Sequence, residues 1–207
     1  ENPVGLRSKT LDVNFSFLGL EKNIISNYDK VFKKAGLKVK KYFYSPFASS
    51  ILSSDQQVLE KGFINLDFGY DKTSITLFEN SKLIFSKSIP IGSFHINNDL
   101  MKSIDLDKNL SERIKCNYDN ILIGRVDNII KSELENRKIS LEIIKKIIDA
   151  RIDEILDYIY KNILFCRALN SSARKIIITG GGADLKVFQK KIKDKLNSTV
   201  DFAKQSF

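Results

Sequence analysis

From residue 9 to 18 apolar side chains fall on alternate positions, with Leu11, Val13, Phe15 and Phe17 on one face, which predicts a strand with one buried side. Residues 21–35 change period. Ile24, Ile25, Tyr28, Val31 and Phe32 recur at helical spacing, and Gly36 supplies a C-terminal stop. Residues 37–44 read as a short strand, and Pro46 opens a second helix to about residue 59 with Ala48, Ile51 and Leu52 inward. The start of the chain therefore reads β-α-β-α. Residues 62–91 predict three antiparallel strands with tight connections: 62–68, 73–78 and 82–91. Gly92 and Ser93 open a helix to about residue 104, and a short helix follows over 111–116 with Leu110 as a staple. Residues 121–124 and 126–130 are weakly patterned and read as short strands. Ser140 caps the longest helix, where Ile144, Ile148, Ile152, Ile155, Ile159 and Ile163 keep a 3.6 period. Residues 175–179 form a buried strand, then come three glycines, then an amphipathic helix over 183–196.

Composition narrows the classes. The chain has 207 residues, 34 Lys plus Arg against 25 Asp plus Glu, and a net charge of +9. That length sustains a core without staples, and a charged fraction of 29% beside 43% hydrophobic residues is that of a folded chain. Apolar runs fall short of the ~18 residues of a membrane span. Cys116 and Cys166 form no CxxC motif and read as two buried, reduced thiols. His95 alone leaves little room for a His-based triad or a His-rich metal site. The chain starts Glu1-Asn2-Pro3, without Met or signal-peptide pattern, and reads as a piece of something longer. The basic charge is concentrated in 21–43 and 183–207, and the first of these interleaves Lys with aromatics as single-strand binders do. Recognition-helix and RNP-like patterns are missing. Solvated Lys faces are the expectation, with nucleic acid excluded as a partner.

Two features carry chemistry. Asp67-Phe68-Gly69 ends a strand, and Thr73 begins the next. A carboxylate there can hold a hydrated Mg²⁺ or a water while glycine turns backbone N–H groups toward an anion; a capped β-turn has the same appearance. Thr179-Gly180-Gly181-Gly182 lies between a buried strand and a helix. The glycines allow close approach of a flat or anionic ligand, or serve a structural turn. The segment is neither a Walker A loop nor GxGxxG.

The order of these parts resembles the second half of the actin-like ATPase (ribonuclease H-like) fold, an α/β class, preceded by the end of the first half. More specifically, the chain resembles the FtsA family of bacterial cell-division proteins. Asn2-Pro3-Val4-Gly5-Leu6 resembles its N-P-x-G-[LM], Ala35-Gly36-Leu37 its C/A-G-L, and Ala48-Ser49 part of its L-A-S. Ile89-Pro90-Ile91-Gly92 with His95-Ile96 and Asp99 is similar to I-P-x-G-G-x-H-I-T-x-D. Glu112-Arg113-Ile114-Lys115 matches E-x-I-K, and Thr179-Gly180-Gly181-Gly182-Ala183 matches T-G-G-G-A.

The resemblance implies ATP and Mg²⁺ bound between two halves, polymerisation into a protofilament, and recruitment of FtsZ and later division proteins. It implies a peripheral location on the cytoplasmic face of the inner membrane, through a C-terminal amphipathic helix that these residues do not include. Carried onto this sequence, Asp67, Gly69 and Thr73 fall in a phosphate loop, with Asp67 toward the metal. Gly92 belongs to the following segment, Glu112 and Lys115 approach the ribose and base, and Gly180, Gly181 and Gly182 form the adenosine loop. The implied subdomains are 1–20, the tail of an FtsA-specific subdomain; 21–58, the end of the first actin-like subdomain; 59–100 with 173–207, the second core; and 101–172, a helical insert that meets FtsZ.

The sequence also departs from the family loop D-I-G-G-G-T-x-D-I. Tyr70 and Asp71 stand at glycine positions, and Lys72 and Ser74 replace its first Thr and second Asp. Asp71 brings like charge toward a triphosphate. The expectation is weak nucleotide binding and at most slow hydrolysis. Two related readings compete: a PilM-like pilus-assembly homologue, and an FtsA-like scaffold with a degenerate nucleotide site. A DnaK-type chaperone ATPase matches less well.

Overall fold

The computed structural model describes residues 17–169, 175–196 and 199–203, together with positions 5, 7, 9, 10 and 12. The strand expected over 9–18 falls largely outside these. The chain divides into two compact units, residues 1–44 and 45–207.

In the first unit the helical period of 21–35 is realised as α1 (Lys22–Lys34), and Gly36 follows it at φ +73°. None of its side chains is buried; Tyr28 and Val31 are more than half exposed. Tyr42 donates to Asp29 Oδ1 at 2.6 Å, and this bond, with slight desolvation and the Asp29 charge, pushes its phenol up to about 12. The strand expected over 37–44 is absent. A strand exists only as part of a hydrogen-bonded ladder, and the described residues of this unit provide no second strand.

The second unit is built on a five-stranded sheet of order β3-β2-β1-β4-β5. β1 (Phe63–Phe68), β2 (Thr73–Glu79) and β3 (Lys82–Ile89) form the expected antiparallel meander. β4 (Ile176–Thr179) pairs with β1 in parallel, placing Asp67 opposite Thr179. β5 (Val200–Phe202), which has no strong apolar pattern, extends β4 in parallel.

Alternation along the strands assigns the two faces. Ile64, Leu66, Phe68, Ile75, Leu77, Ile176 and Ile178 enter the large core. Phe63, Phe78 and Ile177 form a smaller core with Phe47, Val58 and Leu59 on the opposite face. The sheet is thus covered on both sides, as its parallel pairs require. Each fully buried Ile, Leu or Phe contributes about 1.5–3 kcal/mol relative to exposure, so these two faces dominate folding.

The helix expected over 46–59 is two helices, α2 (Ser45–Leu52) and α3 (Gln56–Lys61). The Ser53 and Ser54 hydroxyls both donate back to the Ser50 carbonyl, and Asp55 caps α3 by accepting from Val58 N at 2.8 Å. Such local side-chain bonds compete with helix propagation. On the large-core side come α4 (Phe94–Ile104), α5 (Lys108–Cys116), α6 (Tyr118–Leu122), α7 (Asn128–Asn136) and α8 (Leu141–Leu169). α5 starts three residues before Ser111 because Asp107 accepts from Leu110 N. Residues 121–130 contain no strand. α6 ends before Gly124 at φ +78°, and Asp127 caps α7 through Ile129 N at 2.8 Å, which sets Ile130 and Leu134 on its buried face.

α8 confirms the long apolar stripe. Ile144, Ile148, Ile152, Ile159 and Ile163 are buried, while Ile143 at the first turn is exposed. A helical turn over Gly181–Asp184 leads into α9 (Lys186–Leu196). Asp119 in α6 accepts from the N–H groups of Lys186 and Val187, so a carboxylate distant in sequence caps α9. Cys166 is buried as expected, but Cys116 is exposed. Its place in the last turn of α5 puts it on the helix face away from Ile114.

Candidate functional site

The C-terminal ends of β1 and β4 lie side by side. In open α/β sheets this end of parallel strands is where ligands gather. Each strand enters a glycine-bearing turn there, and α5 and α4 border the same end.

Asp67 lies near the end of β1 on the face covered by α2. Its carboxylate accepts hydrogen bonds from Ser49 and Thr179. The Ser49 and Thr179 hydroxyls are themselves 3.1 Å apart. Burial pushes the Asp67 carboxyl up from its ordinary value, and Lys72 and the two hydroxyls offset this only in part. An ionised carboxylate held this way favours a nearby cation, as a metal role for Asp67 requires. Ser50 and Thr76 share a 2.7 Å hydroxyl bond beside it, and Ser53 donates to Asn65 Oδ1 at 3.3 Å. The polar side of β1 is therefore a seam between the sheet and α2. Ser49 was visible in sequence only as part of a motif; the alternation Phe63-Ile64-Asn65-Leu66-Asp67 is the signal that puts polar groups opposite the core.

The hairpin after β1 is closed by Gly69 N donating to the Lys72 carbonyl at 3.0 Å. Ser93 N and Phe94 N donate to the carbonyls of Gly69 and Tyr70 at 3.0 and 2.9 Å. The N–H groups that open α4 are thus directed at the hairpin carbonyls. Gly92 makes this approach feasible, since a Cβ there would stand 2.2 Å from the Tyr70 carbonyl oxygen. Thr73 is buried and donates to the Ile91 carbonyl at 2.6 Å, tying the same loop from the other side. His95 Nδ1 accepts from Gly92 N at 3.1 Å. The single histidine therefore holds the turn before α4.

The glycines after β4 divide by role. Gly180 has φ +91°, and a Cβ on it would lie 2.4 Å from the Phe68 carbonyl oxygen and 2.6 Å from Asp67 Oδ1. A Cβ on Gly182 would strike the Phe68 ring, which itself stacks on Phe188 at 4.4 Å. Gly181 faces open space, with no atom within 4 Å of a built Cβ. The structural role is realised at Gly180 and Gly182, which pack on β1, while Gly181 is open and leaves room for a ligand to approach.

On α5, Lys115 is only 5% exposed, and its Nζ lies 2.9 Å from Glu112. Asn97 Nδ2 also donates to Glu112. Partial burial pushes Glu112 up, but the bonds from Lys115 and Asn97 outweigh it and hold the carboxyl below its ordinary value. Lys115 Nζ stands 5.4 Å over the Tyr70 ring, which is tilted against Phe94 at 5.1 Å. Lys115 is thereby joined to the hairpin, Gly180 joins the hairpin to the glycine turn, and Asp119 joins α6 to the helix that follows that turn. Asp67, Gly69, Gly92, Lys115 and Gly180 form one linked cluster. The aromatic pair Tyr70–Phe94 and Asn97 were not readable as partners, because their contacts cross from the hairpin to α4 and α5.

The cluster suits a ligand with an anionic end and a polar, flat body: an acidic group for a cation, an open backbone at Gly181, and a Lys–Glu pair. Among the described residues no group of three or more His, Cys, Asp or Glu side chains forms a metal-binding set. A metal at Asp67 would draw further ligands from water or from the bound molecule.

Solved structures with the same fold include the PilM-PilN type IV pilus biogenesis complex, at TM-score 0.65 and 19% identity over 86% of this chain and 46% of that one. MreB5 of Spiroplasma citri bound to ADP gives TM-score 0.65 and 17% identity over 91% of this chain and 62% of that one. These likenesses establish the actin-like fold. Among curated proteins, the cell division protein FtsA of Neisseria meningitidis serogroup B is 27% identical over 86% of this chain and 45% of the relative. FtsA of Agrobacterium fabrum is 22% identical over 89% of this chain and 44% of the relative. The chain thus spans a little under half the length of these relatives. The family model described as "Cell division protein FtsA" matches residues 64–206, from the first strand through the glycine turn and beyond β5, and on that match the chain belongs to the FtsA family.

Proposed function

We propose that this chain carries the second half of an FtsA-type protein, preceded by the end of its first half, and that the protein binds ATP, polymerises with copies of itself, and tethers the FtsZ ring to the inner membrane during division. The observation that carries this reading is the linked cluster at the ends of β1 and β4, which joins the Asp67 hairpin to Lys115 and its partner Glu112 and, through Gly180, to the turn that holds the open Gly181. In this reading Asp67 faces Mg²⁺, Gly69 and Thr73 shape the phosphate hairpin, Gly92 lets it approach α4, Glu112 and Lys115 meet the ribose and base, and Gly181 lies against the nucleotide. ATP would supply the negative charge that Lys115 and Lys72 complement. Residues 1–20 belong to the tail of the FtsA-specific subdomain, 21–58 to the end of the first actin-like subdomain, 59–100 and 173–207 to the second core, and 101–172 to the helical insert facing FtsZ. Later division proteins are further partners, and the location is the cytoplasmic face of the inner membrane at the division site. No helix among the described residues is long and apolar enough to cross a membrane.

Co-pelleting of the full-length protein with anionic vesicles and FtsZ, with and without ATP, tests the recruitment role. FtsZ is expected in the pellet only when the protein is present. FtsZ that stays in the supernatant while the protein itself pellets refutes it. One observation favours the scaffold reading within the same family: Tyr70 and Asp71 occupy the turn of the hairpin where the family loop has glycine. In that reading the protein recruits partners with little nucleotide turnover.

A further inference from the structure

The hairpin after β1 carries an aromatic side chain into the same cluster as the one buried lysine of α5. Tyr70 lies at the turn, the residue 42% exposed in spite of its ring's contacts. One edge is braced by Phe94, 5.1 Å between centroids and tilted by 39°. Its face receives the Lys115 ammonium at 5.4 Å. The backbone below is fixed by the Phe94 N–H to the Tyr70 carbonyl at 2.9 Å and by the close approach of Gly92. The ring therefore has a defined position against α4.

Lys115 is committed on its other side as well. Glu112 holds the ammonium, and Asn97, fully buried, holds Glu112. Asn97 Oδ1 is buried with no hydrogen-bond partner. The only buried ammonium among the described residues is thus shared between a carboxylate and a π face. A cation over an aromatic ring gains about 0.5–2 kcal/mol, more as water is excluded. Any anionic ligand that recruits Lys115 must break that contact.

We propose that Tyr70 is a built-in competitor for Lys115, a latch that lowers the affinity of the cleft for anionic nucleotide and sets it below that of a cleft with a small residue at this position. The inference rests on the nucleotide-binding reading and deepens it. The latch acts through the π face. Bulk at position 70 is secondary, because the ring is braced on Phe94 and remains partly open to solvent. The hydroxyl is not part of the mechanism.

The test uses the full-length protein and Mg-ATP as the probe, titrated calorimetrically. Tyr70→Leu keeps bulk and removes the quadrupole, and it is expected to tighten binding about tenfold. Tyr70→Phe keeps the ring and is expected to stay within about twofold of wild type. The gain in Tyr70→Leu should vanish when Lys115→Met is added, judged against Lys115→Met alone. A second readout needs no ligand. In wild type, NMR signals of the Lys115 methylene beside the ammonium should be shifted upfield by the Tyr70 ring current, and the shift should be kept in Tyr70→Phe and lost in Tyr70→Leu. Equal affinities for wild type and Tyr70→Leu overturn the latch, as does equal tightening by Leu and Phe. Absence of the ring-current shift in a wild type that binds ATP overturns the latch alone. Failure of both wild type and Tyr70→Leu to bind ATP at millimolar concentration overturns the latch together with the nucleotide reading.

Discussion

Two turns leave the same end of the sheet and are built in opposite ways. After β4 the chain presents glycines: two pack against Phe68, and Gly181 leaves backbone open to the surroundings. After β1 the turn carries Tyr70, Asp71 and Lys72, and its carbonyls are spent on the first N–H groups of α4. The comparison teaches that glycine content alone does not define a ligand loop. A glycine needed for packing and one needed for access are separated by what a Cβ would strike. By that criterion Gly180 and Gly182 are packing glycines and Gly181 is open; in the proposed reading the glycine turn receives the ligand body and the hairpin limits how tightly its anionic end is held.

The largest effect should break the packing half of the glycine turn. Gly180→Ala places a Cβ against the Phe68 carbonyl and Asp67 at positive φ, and is expected to cost about 3 kcal/mol in thermal or urea unfolding. Gly181→Ala should stay within about 0.5 kcal/mol. Similar losses for both would erase the distinction between packing and access.

A smaller effect tests the hairpin side through charge. The folded-state carboxyl of Asp67 is raised, so its favourable contribution is complete below the ordinary aspartate range and declines as pH rises through the folded value. At neutral pH the ionised group is a burden on the free protein. Asp67→Asn should therefore raise the melting temperature of the ligand-free protein at pH 7 by a few degrees, and the gain should shrink toward pH 4. Mg²⁺ should stabilise wild type more than the variant. A variant less stable than wild type at pH 7 would show that the Ser49 and Thr179 bonds outweigh desolvation.

The smallest effect concerns α5. Glu112 is held below its ordinary value, so its contribution is present above the glutamate range and is lost as pH falls through the folded value. Glu112→Gln should cost about 1 kcal/mol at pH 7, because the pair with Lys115 is only partly shielded from solvent, and the difference from wild type should close as pH falls below the ordinary glutamate range through the folded value. A gap that persists in acid would assign the loss to packing and not to charge.

Much of this architecture follows from local pattern. The meander, α4, the long α8 and the strand before the glycines all announce themselves by period and by turn residues. The failures have a common cause. Residues 121–130 are too short and weakly patterned to choose between strand and helix, and Asp127 decides for helix by capping α7. Residues 37–44 alternate like a strand but have no ladder, and β5 forms because β4 offers an edge to a segment with little pattern of its own. At the site, Asp67, Gly180 and Glu112 were legible as residue types. Their roles were not, because the Ser49–Asp67 bond, the Tyr70–Lys115 contact and the Asp119 cap each join elements remote in sequence.

The central claim is that nucleotide enters against Gly181 and is held weakly at the hairpin. It is tested most directly by calorimetric titration of Mg-ATP into the full-length protein and its Gly181→Val variant. The account predicts saturable binding with Kd in the high-micromolar to millimolar range for wild type, loss of binding in the variant, and an unchanged melting temperature for the ligand-free variant. Sub-micromolar binding with rapid turnover, or binding undiminished by Gly181→Val, would contradict it.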